Sequence, residues 1–257
     1  MPKDQDSHRS SIPYSSILAE TPDIKAYFNT LAEKWNKNYS DSILFSERLE
    51  KIIRLTSDIP LKDKTVLDIG CGSGMISAHF SGKGASVYGI DISENMIQQA
   101  DAFVQSRNMK AEFSIGDAAN LQFPDKHFDL ITCISVIEWM DEDRNALLEI
   151  KRVLKPNGIA IMSVPNQTSW LRKAETWVFK SKKLLSVFFN FRTGYLAFQK
   201  HQYDPRKFDA LCREANLKTI DSTYYVTPFS KFSFFRKLSR FRWIGMMYFV
   251  KLQKIGD

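Results

Sequence analysis

In Thr65 to Phe80, TVLDIGCGSGMISAHF, an apolar run ends on an acid, Asp68, and three glycines follow at alternate positions, Gly70, Gly72 and Gly74. Glycine tolerates φ above zero and lets a ligand approach the main chain closely, so such a turn is suited to holding one. What the pattern lacks narrows the ligand. A dinucleotide turn wants Gly-x-Gly-x-x-Gly, the third glycine admitting close helix packing, and Met75 stands at that place. A P-loop closes on Gly-Lys-Ser/Thr, and no lysine follows Gly74. A second acid, Asp91, closes a second apolar run, SVYGID. The three cysteines, Cys71, Cys133 and Cys212, lie far apart without metal-ligand spacing, so reduced thiols are expected and no metal.

The elements that must position these residues alternate. TVLDIG reads as a strand and GMISAHFSGKG as a helix ending on glycine. SVYGIDIS is the next strand, followed by a helix, SENMIQQADAFVQSR, capped by Ser93. AEFSIGDAANL is a third strand with its exit loop. FDLITCISVIEWM is a fourth, nearly all apolar, as the middle of a parallel sheet requires. DEDRNALLEIKRVLK is a helix that stops before Pro156, PNG is a turn, and IAIMSVP is a fifth strand. Two amphipathic helices come first. Asp23 caps one that runs through Tyr39, with Tyr27, Leu31, Trp35 and Tyr39 at helical spacing, and SERLEKIIRLTS is the other. Residues 167–203 break the rhythm as one or two basic, aromatic helices. DPRKFDALCREAN returns to an ordinary helix. LKTIDSTYYVT and GMMYFVKLQK end the chain as two strands, joined by the basic aromatic loop FSKFSFFRKLSRF. Alternation on this scale predicts an α/β fold, a doubly wound parallel sheet with helices on both faces and a helical insertion after strand five.

The chain has 257 residues, 44% of them hydrophobic, enough for one large domain. Residues 1–22 are polar and aperiodic and read as a disordered tail before a domain over 23–257. No apolar run approaches the roughly 18 residues of a membrane span, and the N-terminus lacks an apolar signal core, so a cytoplasmic protein is expected. Charge is unevenly placed. Residues 1–169 hold 18 Lys/Arg against 23 Asp/Glu, whereas 170–257 hold 18 against 6 and carry 20 of the 33 aromatic residues. A basic, aromatic last third asks for an anionic or interfacial partner.

The pattern Asp68-x-Gly-x-Gly-x-Gly, with Asp91 closing the second strand, resembles motif I of the class I S-adenosylmethionine-dependent methyltransferases. GIDIS, IGDAANLQF, FDLITCISVIEWM and LKPNGIAIMSVPN resemble that family's later motifs in the same order, over roughly residues 25–165. The resemblance implies a Rossmann-like, seven-stranded, mostly parallel sheet whose last strand is antiparallel. It implies S-adenosyl-L-methionine as cofactor and S-adenosyl-L-homocysteine as product. Residues 70–74, Cys71 included, would hold the methionine part, with Asp68 ordering its amino group directly or through water. Asp91 would hold both ribose hydroxyls, and Ile92 and Met96 would flank the adenine. Asp117 would hold the adenine amino group, beside the Ala118 N–H, and Ile134 and Ser135 would lie near the sulfur.

The acceptor side is less marked. Amino methyltransferases of nucleic acids carry Asn/Asp-Pro-Pro-aromatic after strand four, and this chain has ISVIEWM there, so no nucleic-acid partner is expected. Cytosine-C5 enzymes use Pro-Cys in that region; Cys133 lacks the proline and reads as core. The closest resemblance is to the small-molecule branch that includes the ubiquinone-biosynthesis O-methyltransferases. SVIEWMD is the counterpart of a stretch that often reads Leu-Glu-His-Val, with Trp139 in place of the histidine, and HQYDPRKF of a His-x-Tyr-x-Pro stretch. Glu138 and His201 are the candidate catalytic residues, each with a structural alternative, as a loop anchor and a helix cap. His79 and His127 read as structural.

Residues 167–203 are expected to form a lid on the acceptor, with the first helix closing the cofactor pocket from the other side. Residues 170–200 and 229–243 mix cations with Trp and Phe as interfacial segments do, which sets peripheral membrane contact at the inner membrane surface beside an ordinary lid. The expected activity is methyl transfer to oxygen of a small hydrophobic acceptor: a lipid, quinone precursor or natural product. Two alternatives stay open, an N-methyltransferase on a lipid or aminosugar amine, and a cofactor-binding interaction protein without turnover. The oligomeric state is not legible.

Overall fold

Thr65–Ile69 (β1) buries Val66 against one face of a sheet and Leu67 and Ile69 against the other, the alternation of a strand covered on both sides. The computed structural model describes residues 23–39, 43–185, 196, 198–225, 238 and 241–256, without the side chains of 33–45 and 178–185. The expected tail, the side chains of Trp35 and Tyr39, the lid aromatics from Phe179 to Tyr195 and most of the 226–240 loop lie outside the described residues.

In chain order the elements are α1 (Ile24–Tyr39), α2 (Ile43–Thr56), β1, α3 (Met75–Ser81), β2 (Ser86–Asp91), α4 (Glu94–Gln105), β3 (Glu112–Ile115), β4 (Phe128–Ile134), α5 (Asp143–Val153), β5 (Leu154–Pro165), α6 (Trp170–Leu185), α7 (Pro205–Glu214), β6 (Leu217–Tyr225) and β7 (Met247–Lys254). The strands form one seven-stranded sheet in the order β3-β2-β1-β4-β5-β7-β6, parallel except where β7 runs against β5 and β6. One face packs Leu67, Ile131, Ala160 and Val250 under α5 and α7, through Leu147, Ile150 and Phe208. The other packs Val66, Leu130, Ile161 and Phe249 under α2 and α3, through Ile52, Leu55 and Phe80.

Strand order reverses between β1 and β4, so their carboxyl ends diverge and leave a crevice, where doubly wound sheets bind ligands. Two departures from the sequence expectation bear on that crevice. The fourth strand stops at Ile134 and does not run on to Met140. Ser135 takes φ +58°, and a 3-10 turn over Ile137–Trp139 follows. The fifth strand starts earlier, at Leu154. Its PNG turn is a register break opposite Asp129, whose carboxylate binds the Lys155 and Lys64 ammonium groups and the Thr65 N–H.

Candidate cofactor and acceptor site

The glycine turn hangs between β1, β2 and β4. Asp68, fully buried beneath it, accepts hydrogen bonds from Ser77 Oγ and Thr132 Oγ1, both at 2.7 Å. It thereby ties β1 to β4 and to α3, and burial pushes its carboxyl up to about 6 despite those two bonds. Gly70 has φ +67°, and a Cβ there would lie 2.3 Å from Val136 Cγ2. Gly74 has φ +79°, and a Cβ would come to 3.0 Å from the Ala100 Cα of α4. Both positions therefore demand glycine, for backbone and for space. The Cys71 N–H donates to the Ile90 carbonyl at 2.9 Å, and the Cys71 thiol is buried, which pushes its pKa well up.

Asp91 closes the turn from the β2 side. Its Oδ2 accepts from the Gly72 N–H at 3.0 Å and its Oδ1 from the Ser93 N–H at 2.9 Å. Burial raises its pKa, against the pull of those backbone donors. A carboxylate has about four acceptor positions, so both oxygens keep capacity for a ligand's hydroxyls. Ile92 next to it is exposed, whereas Met96 is fully buried within α4. Asp117 is exposed at the β3 exit, where its Oδ1 accepts from the Ala119 N–H at 2.9 Å, and Ala118 is buried.

The β4 exit supplies the other half of the crevice. Ile134 is buried, and the Ser135 N–H reaches Ser163 Oγ at 3.1 Å. The Trp139 indole N–H donates to the Ser135 carbonyl at 2.7 Å and pins the left-handed residue. The 3-10 turn drives Glu138 inward, to 1% exposure, and its Oε2 has no hydrogen-bond partner among the described residues. Burial pushes this carboxyl up to about 7, against the pull of its own backbone N–H and of the Arg48 and Arg172 guanidiniums. The Glu138 carbonyl receives the N–H groups of Lys200 at 2.9 Å and His201 at 3.1 Å. His201 Nε2 is another buried polar atom with no hydrogen-bond partner among the described residues. The structure thus brings Glu138 and His201 together across 63 positions of sequence. Tyr203 anchors that segment through its hydroxyl to Asp143 at 2.8 Å and its N–H to the Pro165 carbonyl at 3.0 Å.

The first helix crosses both halves. Asn29 Oδ1 accepts from Ser93 Oγ at 2.6 Å, and the Asn29 carbonyl from Asn95 Nδ2 at 3.1 Å. Phe28 packs edge-on against Trp139 with centroids 5.7 Å apart, and Tyr27 stacks on Phe198 at 4.2 Å. Sequence reasoning missed Asn29, Arg48 and Arg172. Asn29 interrupts no pattern, and the two arginines sit on amphipathic helices where cations are ordinarily solvated.

Residues 67–162 match a family model described as a methyltransferase domain. A ubiquinone biosynthesis O-methyltransferase of Rickettsia bellii is 32% identical over 141 residues, which is 52% of this chain and 58% of that protein. The chain therefore spans little more than half the length of the curated relatives it matches. Among solved structures, magnesium protoporphyrin IX methyltransferase (ChlM) from Synechocystis PCC 6803 with bound SAH superposes with TM-score 0.67 at 19% identity, covering 90% of this chain and 98% of that one. The cyclase SpnF superposes equally well, at 0.67 with 14% identity, over 92% and 96%. The chain thus has a Rossmann-like fold shared with methyltransferases of known structure, and its residues 67–162 match a methyltransferase-domain model.

Proposed function

We propose that the protein is a S-adenosyl-L-methionine-dependent methyltransferase that acts on oxygen of a small hydrophobic acceptor and releases S-adenosyl-L-homocysteine. The observation that carries the reading is the bare turn at the crevice, Gly70 to Gly74, held open by the Asp91 carboxylate. A cradle that a single Cβ would fill, beside an acid with spare acceptor positions and the exposed Ile92, suits a ligand with an amino-acid end, a diol and a flat apolar ring. Residues 70–74 would hold the methionine part, Asp91 the ribose, and Ile92 with Asp117 the adenine. Asp68 would act through the turn that it braces. When bound, the cofactor supplies an electrophilic methyl group.

The remaining work falls to the β4 exit. An acceptor hydroxyl must lose its proton as the new bond forms. Glu138 is the group placed to take it: buried, with a free oxygen and a pKa near neutrality, where a general base is most useful. His201 Nε2 would hold the acceptor's oxygen from the other side. Trp139, bonded to Ser135, positions the turn and excludes water. An amine acceptor is the second reading, favoured by that same Trp139: relatives often place histidine there, and an amine needs no strong base. The O-methyl reading agrees with the printed name of the ubiquinone-biosynthesis relatives. It includes peripheral contact with a membrane through residues 170–200 and 229–243.

The test is in two stages. Calorimetry with S-adenosylmethionine should show binding that Asp91→Ala weakens by about tenfold or more, as the loss of two charge-assisted hydrogen bonds implies. Unchanged affinity in the variant would sink the site assignment. The protein with methyl-labelled cofactor is then offered lipid, aqueous and RNA fractions of cells. Label in a lipid-soluble product supports the reading, label in RNA overturns it, and binding without transfer to any fraction leaves a cofactor-binding protein.

A further inference from the structure

Trp177 and Trp170 are the two most exposed large apolar side chains among the described residues, at 71% and 69%, and Trp243 and Phe241 are 50% and 40% exposed. Isolated exposed apolar residues are ordinary, but Trp170, Trp243 and Phe241 form a cluster. The Trp170 and Trp243 ring centroids lie 6.2 Å apart, and Phe241 stacks on Trp243 at 5.9 Å. Their backbones are clamped. The Trp170 N–H donates to the Trp243 carbonyl at 2.9 Å, Ser169 Oγ to the Ile244 carbonyl at 2.8 Å, and Asn166 Nδ2 to the carbonyls of Arg242 and Gly245 at 2.6 and 2.7 Å. Two segments some 70 residues apart in sequence are thereby fixed as one face. Along α6, Trp170, Lys173 and Trp177 follow at spacings of three and four and share one side of the helix. Arg172 on the same helix points inward, buried, to the Met246 carbonyl at 3.3 Å.

The charge on these segments is one-sided. Residues 170–200 carry seven Lys/Arg against one acid, and 229–243 carry five against none. The one acid, Glu175, is spent on Arg172 at 2.8 Å. We propose that Trp170, Trp177, Phe241 and Trp243 form a docking face for a bilayer of anionic phospholipid, the rings seated among the headgroups and the positive charge that these two segments carry in sequence drawn to the lipid charge. Trp243 already packs on both Trp170 and Phe241, which leaves its faces less available for stacking nucleic-acid bases. The face lies beside the carboxyl end of β5 and the start of β7, the edge of the sheet that holds Glu138 and His201. An acceptor dissolved in the bilayer would therefore meet the crevice from the side. The inference deepens the reading of a hydrophobic acceptor met at a membrane and rests on it for its biological sense.

The test needs neither cofactor nor acceptor, so its outcome is separate from that of methyl transfer. The full chain is sedimented with vesicles of phosphatidylcholine, alone or mixed with phosphatidylglycerol, while tryptophan emission is recorded. Binding to the mixed vesicles, a blue shift, and release by high salt are expected. The triple variant Trp170→Ser, Trp177→Ser, Trp243→Ser should bind about tenfold more weakly or worse. Trp177→Ser is the milder check, and the thermal midpoint shows that each variant folds. Absence of vesicle binding, or equal binding by wild type and triple variant, would overturn the proposal. So would RNA that displaces the protein from the vesicles and whose own binding falls in the variant.

Discussion

Glu138→Gln separates what the buried carboxyl does for stability from what it does for chemistry. The substitution keeps the side chain's shape and the main-chain carbonyl that receives Lys200 and His201. What it removes is a titration. In the folded protein the group has a pKa of about 7, against 4.5 for an ordinary glutamate, the cause being burial. Between those values the folded protein holds a proton that the unfolded chain has released, so stability falls as pH rises through that window and is level above it. A shift of this size corresponds to about 3 kcal/mol, and at 1% exposure little of that is screened by solvent. Asp68 contributes in the same direction, from its ordinary 3.8 up to about 6. Its share is nearly exhausted one pH unit above its pKa, whereas Glu138 titrates on past that point, so the diagnostic interval lies between about pH 7 and 8. Denaturant unfolding there should show wild type losing stability with pH and Glu138→Gln staying flat. The level of the variant's curve carries a separate cost, since a buried amide also wants partners, on the order of 1–3 kcal/mol. The slope does not depend on that cost. Parallel slopes would refute the buried, proton-holding carboxyl. Activity adds the second arm. If Glu138 takes the acceptor's proton, kcat/KM should fall by about a hundredfold or more and lose its rise through neutral pH. A lost stability slope with an unchanged activity profile would make Glu138 a loop anchor only.

Two further expectations follow from the turn and from the first helix. Gly70→Ala places a Cβ at φ +67°, about 1–2 kcal/mol, and against Val136, a further 1–3 kcal/mol or so of overpacking. Adding Val136→Ala should return the steric part, which urea unfolding of the double variant reads, and strict additivity of the two substitutions would refute the contact. Asn29→Ala removes the Oδ1 that accepts from Ser93 Oγ and from the Asn95 N–H and leaves the main-chain bond to Asn95 Nδ2, so limited proteolysis should cut α1 faster and S-adenosylmethionine affinity should drop several-fold while the thermal midpoint falls by less than about 4 °C. Unchanged proteolysis would mean that α1 is held by its aromatic contacts and not by Asn29.

The sheet was legible because its central strands are β-branched, apolar runs between turn signals, and near-continuous burial follows from a sheet covered on both faces. The turn was legible for a related reason: three glycines at alternate positions have few explanations besides a backbone that must curve and stay bare. The β4 exit was misread. ISVIEW continues the apolar run of FDLITC without a Gly or Pro, so nothing local announces that Ser135 turns left-handed. The cause is tertiary: Ser163 on β5 takes the Ser135 N–H, and the Trp139 indole takes its carbonyl. Long-range partners such as Asn29 with Ser93, across 64 positions, leave no trace in composition or spacing.

That misread turn is also where the two halves of the site are joined. Val136 fills the space that a side chain on Gly70 would need, so the cofactor cradle can exist only while the β4 exit keeps its shape. The same exit carries Ser135, strained and pinned by Trp139, and then Glu138, whose carbonyl fixes His201. Phe28 on the first helix leans on Trp139, while Asn29 beside it grips the β2 exit. A movement of α1 is therefore felt at once by the turn that would hold the cofactor and by the carboxyl that would meet the acceptor. On the proposed reading, acceptor binding would then depend on a seated first helix. Strain at Ser135 is the kind that surrounding structure must over-determine, and here three separate elements do so.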